Sequence, residues 1–230
     1  MLHKLFKARS YRKVASIFAE RSRATRDADA VRGAFPWIDG VHGGPERAGL
    51  AAEHARYCRE ISSEKMAADL GFSSFLQLWC QTHKPKRVVD LGSGFTSYVL
   101  RRYAAAARGT PCEVWSVDDD AAWLGRTRDY LLEMKQDVSH LMVWSEFIKV
   151  APHDFDLVVH DAGSMQFRAD NLGPALDLAR SGGLVLLDDV HRFEYRATAL
   201  ELLATRGYRF LSVRALRDTY GRYPYAVFKP

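Results

Sequence analysis

The sequence predicts an α/β protein: a doubly wound, mostly parallel sheet with a C-terminal antiparallel hairpin and an N-terminal helical extension. Three observations carry this expectation. From residue 88 onward, short apolar runs alternate with longer runs of helical spacing. The first apolar run ends in an aspartate followed by two glycines, in "VVDLGSG". Two final apolar runs are joined by a link too short for a crossover helix. Unbroken apolar strands separated by helices imply a parallel sheet covered on both faces.

Taken in order, Leu2, Leu5 and Phe6, then Val14, Ile17 and Phe18, recur at helical spacing, so residues 1–26 are expected to form an amphipathic helix. "GAFPWIDGVHGGPE", Gly33–Glu46, is rich in Gly and Pro and reads as a loop. Helices are expected over Arg47–Ile61 and Glu64–His83. Strands are expected at Val88–Leu91, Glu113–Val117, Leu141–Trp144, Asp156–His160 and Leu184–Leu187. Between them lie helical runs at Thr96–Ala107, Ala121–Gln136 and Arg168–Arg180, and a further one at Glu194–Thr205. "YRFLSVRAL" and "YAVFKP", linked by "RDTYGRYP", should then pair antiparallel at the end of the sheet. The expected organisation is a helical arm and lid over residues 1–60 and one α/β domain over residues 61–230.

A chain of 230 residues can bury one sizeable core, and its 47% hydrophobic content excludes general disorder. No apolar run approaches the roughly 18 residues of a membrane span. The first residues lack the apolar centre of a secretory signal. Cys58, Cys80 and Cys112 form no zinc pattern and fit reduced thiols in a cytoplasm. The net charge is +5, but residues 1–26 alone sum to +7, with eight cations against Glu20, so the rest of the chain sums to −2. The basic character belongs to the arm. Such an arm packs on its own domain or on a second copy, or else meets a membrane surface or nucleic acid.

In a sheet of this kind, ligands bind beyond the carboxyl ends of the strands. "DLGSG" lies there, and Gly92 and Gly94 let a ligand approach backbone N–H groups. A dinucleotide turn needs a third glycine at position 97, where Ser97 stands, so a dehydrogenase is disfavoured. Asp90, ahead of the first glycine, would repel a pyrophosphate but suits a ligand carrying an ammonium group. "VWSVDDDAAWL" places Asp118 at the end of the second strand, where a carboxylate can accept two hydrogen bonds from a ribose diol. Asp120 is the better cap for the helix that follows. Trp123 is a candidate either to cover an adenine or to fill the core.

Together, "VVDLGSG", "VWSVDDD", "FDLVVHDAG" and "GGLVLLDDVHR" resemble class I S-adenosylmethionine-dependent methyltransferases, proteins of Rossmann-like fold. The resemblance spans roughly Glu64 to Pro230 and includes the terminal hairpin. It implies that Asp90, Gly92 and Gly94 hold the methionine end of S-adenosylmethionine and Asp118 its ribose. Ser93, Asp119 and Asp161 are the remaining expected cofactor contacts.

Methyl transfer needs a positioned nucleophile and, for a hydroxyl, removal of a proton. Candidates at the ends of the fourth and fifth strands are His160, Asp161, Asp188, Asp189 and His191. Asp161 and His191 are expected as catalytic groups, whereas His160 is expected to point into the sheet. Clustered carboxylates repel one another unless a cation or proton joins them. A divalent ion, Mg2+, held by Asp161, Asp188 and Asp189 is therefore expected to orient and activate the acceptor. The layout is similar to metal-dependent small-molecule O-methyltransferases of the catechol and macrolide-sugar types. It departs from them at Asp189, where the catechol type has Asn, and at Ser164, where relatives often carry His.

The function expected is methyl transfer to a hydroxyl of a small metabolite. Nucleic acid is not an expected partner, because the body of the chain is acidic. The alternatives are an RNA methyltransferase using the basic arm and a non-catalytic partner subunit. A homo-oligomer formed through the arm fits the apolar spacing within it.

Overall fold

The computed structural model describes residues 2–107, 109, 111–150 and 152–230, with backbone alone for 2–10 and 12. The expected apolar positions Leu2, Leu5 and Phe6, and the cations Lys4, Lys7, Arg9 and Arg12, lie outside the described side chains. Seven strands form one sheet: β1 Arg87–Leu91, β2 Glu113–Asp118, β3 Leu141–Val143, β4 Phe155–His160, β5 Ala179–Leu187, β6 Arg209–Ser212 and β7 Tyr225–Phe228. Their order is β3-β2-β1-β4-β5-β7-β6. The first five run parallel; β7 pairs antiparallel with both β5 and β6. The doubly wound sheet and its terminal hairpin are as the sequence predicts. Chain order reverses between β1 and β4, where sheets of this class open a crevice for ligand.

Helices cover both faces. α1 spans Leu2–Ala34, α2 Pro45–Glu60, α3 Leu70–His83, α4 Phe95–Ala106 and α5 Ala121–Glu133. After them come α6 Trp144–Val150, α7 Met165–Asp170, α8 Leu172–Leu178 and α9 Phe193–Thr205. One buried cluster joins Val31, Phe35, Leu50, Tyr57 and Phe75 to Val88, Val99 and Leu186. A second, on the other face, joins Val89, Val117, Phe147, Val158, Leu176, Val185 and Leu203.

Several boundaries differ from the expectation, each for a local reason. α1 runs eight residues beyond the expected arm, to Ala34, because Val31 and Phe35 have a core to enter. α3 starts at Leu70, not near Glu64, because Asp69 caps it by accepting the Gly71 N–H at 2.6 Å. The expected helix Arg168–Arg180 is two short helices split at Asn171, just before Gly173 and Pro174. The sequence predicts only a strand end at α6, since a short apolar run does not distinguish helix from strand.

The arm divides in two. Its second half is bonded to the end of the sheet: Glu20 accepts the hydroxyls of Ser212 and Tyr225, each at 2.5 Å, and Asp27 accepts the Ser212 N–H at 2.9 Å. Its first half leaves Tyr11, Val14, Ile17 and Phe18 exposed.

Candidate functional site

A cleft of about 340 Å3 opens over the carboxyl ends of β1, β2 and β4. The glycine turn between β1 and α4 forms its floor. Gly92 has φ +109°, and a Cβ there would lie 2.6 Å from the Asp161 carbonyl carbon. Only glycine lets β1 and β4 end this close together. The ends are also bonded: the Gly92 N–H donates to Val117 at 2.8 Å and the Asp161 N–H to Leu91 at 2.7 Å.

Asp90 does not line the cleft. It is fully buried beneath the turn, where Oδ2 accepts the hydroxyls of Thr96 at 2.7 Å and Ser97 at 2.6 Å. Ser97 Oγ in turn accepts the Gly94 N–H at 3.2 Å. Asp90 therefore shapes the turn from below. Burial pushes its carboxyl up to about 7, and Oδ1 has no hydrogen-bond partner among the described residues.

Asp118 does line the cleft, together with Ser93, Gly94, Asp119 and Trp123. Its Oδ2 accepts the Ser93 N–H and hydroxyl, both at 2.8 Å, and its Oδ1 accepts the Asp120 N–H at 3.0 Å. A carboxylate offers about four acceptor positions, so one is left on the Oδ1 side. Ser93 is held further by Thr127, 3.1 Å from its hydroxyl, and by the Trp123 indole N–H, which donates to its carbonyl at 2.7 Å. Trp123 thus lies in the wall with its ring nitrogen anchored. Asp120 caps α5, as the sequence predicts, accepting the N–H groups of Ala122 and Trp123. Asp119 crowds Gly163 (φ +61°), where a Cβ would meet its carboxylate at 2.7 Å.

The acidic cluster at the ends of β4 and β5 contains a cation the sequence reasoning missed. Arg168 of α7 places Nη1 at 2.6 Å from Asp161 Oδ1 and 3.0 Å from Asp189 Oδ2. Its Nε donates to the Ala162 carbonyl at 3.2 Å. Asp161 and Arg168 line the cleft; Asp188, Asp189 and His191 do not. Asp188 is buried and accepts the Asp189 N–H at 2.7 Å. Burial with Asp161 and Asp189 nearby holds its carboxyl well above the ordinary range, while burial raises Asp161 to about 6 despite Arg168. Asp189 itself sits at φ +58°, uncommon for a residue with a side chain.

His191 Nδ1 lies 3.3 Å from Asp189 Oδ1, and burial lowers its pKa, favouring neutral imidazole. His160 is buried, donates Nε2–H to the Arg168 carbonyl at 3.0 Å, and is pushed down to about 4. It positions α7, as its inward direction suggests. Ser164 caps α7 by accepting the Phe167 N–H at 3.1 Å.

The expected magnesium ligands do not fit a metal ion. The point where carboxylates of β4 and β5 converge is filled by the Arg168 guanidinium. Among the described residues, no group of three His, Cys, Asp or Glu side chains is arranged to hold one. Repulsion within the cluster, the reason for expecting a cation, is partly offset by the chain's own arginine.

The remaining wall comes from N-terminal elements whose sequence carries no motif: Tyr57 of α2 and the turn Met66–Ala68. The Tyr57 side chain is buried, and its hydroxyl has no partner among the described residues. A Cβ on Gly94 would approach that hydroxyl to 3.2 Å. An unpaired donor, a glycine turn and a carboxylate with spare acceptor capacity fit a zwitterionic nucleoside.

No protein-family model and no curated protein matches the sequence. Solved structures do share the architecture. The O-methyltransferase TomG from Streptomyces achromogenes, involved in tomaymycin synthesis and solved with S-adenosylmethionine, has a TM-score of 0.58 and 18% identity. That match covers 78% of this chain and 89% of TomG. A putative O-methyltransferase from Klebsiella pneumoniae gives 0.58 and 15%, covering 92% and 98% of the two chains. An O-methyltransferase from Bacillus cereus, solved with the demethylated cofactor, gives 0.53 and 15%, covering 91% and 100%. With its seven strands in the order 3-2-1-4-5-7-6 and a cleft at the point of reversal, this chain has the fold of the class I S-adenosylmethionine-dependent methyltransferases.

Proposed function

We propose that the chain is an S-adenosylmethionine-dependent methyltransferase acting on a hydroxyl of a small metabolite. The observation that carries this reading is the cleft floored by Gly92–Gly94, with Asp118 at its rim and one acceptor position unspent. Asp118 and Asp119 would take the ribose hydroxyls, and Ser93 and Gly94 the methionine end. Tyr57, with its unpaired hydroxyl, is a further contact. The bound cofactor supplies an electrophilic methyl group on a sulfonium sulfur. The chain's own part is to hold the acceptor in line and exclude water, with Tyr57 and Met66–Ala68 closing one side.

Asp161 lines the cleft and is the proposed hydrogen-bond acceptor for the incoming hydroxyl; His191, held neutral, is the second candidate base. Magnesium has no place in this reading, because Arg168 occupies the carboxylate cluster. The likeness of TomG and the Bacillus cereus enzyme supports an oxygen acceptor. Residues 1–60 are proposed as arm and lid. The exposed row Tyr11, Val14, Ile17 and Phe18 supports a homo-oligomer through the arm. The free thiols of Cys58, Cys80 and Cys112 support a cytoplasmic location. No helix is long and apolar enough to cross a membrane among the described residues.

Calorimetry with S-adenosylmethionine and its demethylated product tests the reading. Binding weakened in Asp118→Ala is the expected result; no binding by the wild-type chain would end it.

A further inference from the structure

The guanidinium of Arg168 is fixed from three directions. Asp161 and Asp189 hold Nη1, and the Ala162 carbonyl accepts from Nε. Its own backbone carbonyl accepts from buried His160, and Ser164 caps the short helix that carries it. The residue is only 7% exposed, so the charge does not swing out to water. Nη2 makes no hydrogen bond among the described residues, and Arg168 lines the cleft. A divalent ion bonded to Asp161 and Asp189 would need oxygens at roughly 2.0–2.6 Å, in the space one nitrogen already fills, and beside a like charge.

We infer that Arg168 is the resident cation of the acceptor site: it balances Asp161 and Asp189, excludes divalent ions, and turns Nη2 toward the acceptor oxygen. This rests on the methyltransferase reading only for the word acceptor. The exclusion of metal follows from the carboxylates and the guanidinium alone. A guanidinium differs from a metal in what it recognises. It offers directed N–H donors to one oxygen or a planar oxyanion, and does not chelate two vicinal hydroxyls. The acceptor it selects therefore carries a single acidic hydroxyl, such as that of a phenol. Its proton leaves to Asp161, or to water before binding, and the oxygen then gives a lone pair to the methyl carbon while the carbon–sulfur pair returns to sulfur.

Electron paramagnetic resonance with Mn2+ as the probe tests the exclusion on the full chain. The wild type should leave the free-ion signal undiminished. Arg168→Met, which vacates the cluster, should take up one Mn2+ at least about tenfold more tightly. Arg168→Lys should restore exclusion, which a merely structural role would not predict. Wild-type uptake of one Mn2+, lost in Asp161→Asn, would overturn the inference, as would equal uptake by wild type and Arg168→Met. Should Arg168→Met fail to fold, the wild type and Arg168→Lys decide it: exclusion by both supports the inference, and uptake by the wild type overturns it. For the acceptor, 4-nitrophenolate and the vicinal diol catechol, compared at one mildly alkaline pH, serve as probes. Preference for the phenolate, weakened at least about tenfold in Arg168→Met, is expected, and preference for the diol would overturn that part. Calorimetry with the demethylated cofactor on the same sample judges the methyltransferase reading separately.

Discussion

Asp118 at the end of β2 accepts both the backbone N–H and the hydroxyl of Ser93, at 2.8 Å each. One carboxylate thus sets the shape of the glycine turn and stands at the rim of the cleft. The turn is prepared for ligand before any ligand arrives. Asp118→Ala should therefore weaken cofactor binding and also loosen the turn, with charged hydrogen bonds suggesting about 1.5–3 kcal/mol in binding. Asp118→Asn keeps the shape but turns one acceptor into a donor, and should lose less. Calorimetry reads the first effect and urea unfolding the second. Unchanged affinity in Asp118→Ala would remove Asp118 from the site.

Gly92→Ala tests the close approach of β1 and β4. The added Cβ would lie 2.6 Å from a backbone carbon that has no rotamer to change, at φ +109°. The strand ends must part, which costs at least about 2 kcal/mol in stability. Chemical unfolding measures it. A loss under about half that value would mean the two ends yield easily.

Removal of residues 2–26 should lower stability. The deletion strips Glu20 from the hydroxyls of Ser212 and Tyr225, leaving two buried groups without their acceptor. Each costs roughly 1–3 kcal/mol. Glu20→Ala should reproduce most of that loss. Light scattering on the same variants checks whether the row Tyr11, Val14, Ile17 and Phe18 pairs two copies.

Stability should depend on pH through two buried groups acting in opposite directions. Asp90 has its carboxyl raised from 3.8 to about 7, so its contribution is full below pH 3.8 and is lost as pH rises to about 7. His160 has its pKa lowered from 6.5 to about 4, so its contribution is full above pH 6.5 and is lost as pH falls toward 4. Asp90→Asn cannot ionise. Its stability relative to wild type should rise by a few kcal/mol between about pH 4 and pH 8, because holding a carboxyl neutral above its ordinary pKa costs about 1.4 kcal/mol for each step of one in pH. A constant difference across that range would show that Asp90 titrates normally.

The strand pattern, the terminal hairpin and the site of the cleft were legible because each rests on local signals: apolar runs, "DLGSG", and a short link before "YAVFKP". Asp118 was legible by its place at a strand end. Arg168 was not. In the sequence it is one basic residue in a helical run, and its meaning arises only when α7 folds back over β4 and β5. Asp90 precedes the glycines and so resembles a ligand group in the sequence. The parity of a strand turns it beneath the turn instead, toward Thr96 and Ser97. Tyr57 shows the same limit, since nothing marks an aromatic in an amphipathic helix as part of a cleft. Gly173 and Pro174, by contrast, do mark the break between α7 and α8 in the sequence itself.

The position of β7 between β5 and β6 bears on how the chain reaches this structure during synthesis. The first helix leaves the ribosome early, yet the residues its Glu20 bonds to, Ser212 and Tyr225, are made 192 and 205 residues later. Until Tyr225–Phe228 emerge, β5 presents an unpaired edge and Glu20 lacks the Tyr225 hydroxyl. Closure joins the two ends of the sequence in one late step, a contact of high sequence separation that slows folding. A polypeptide halted before Tyr225 would carry both an open strand and an undocked basic helix, the kind of nascent species that chaperones retain.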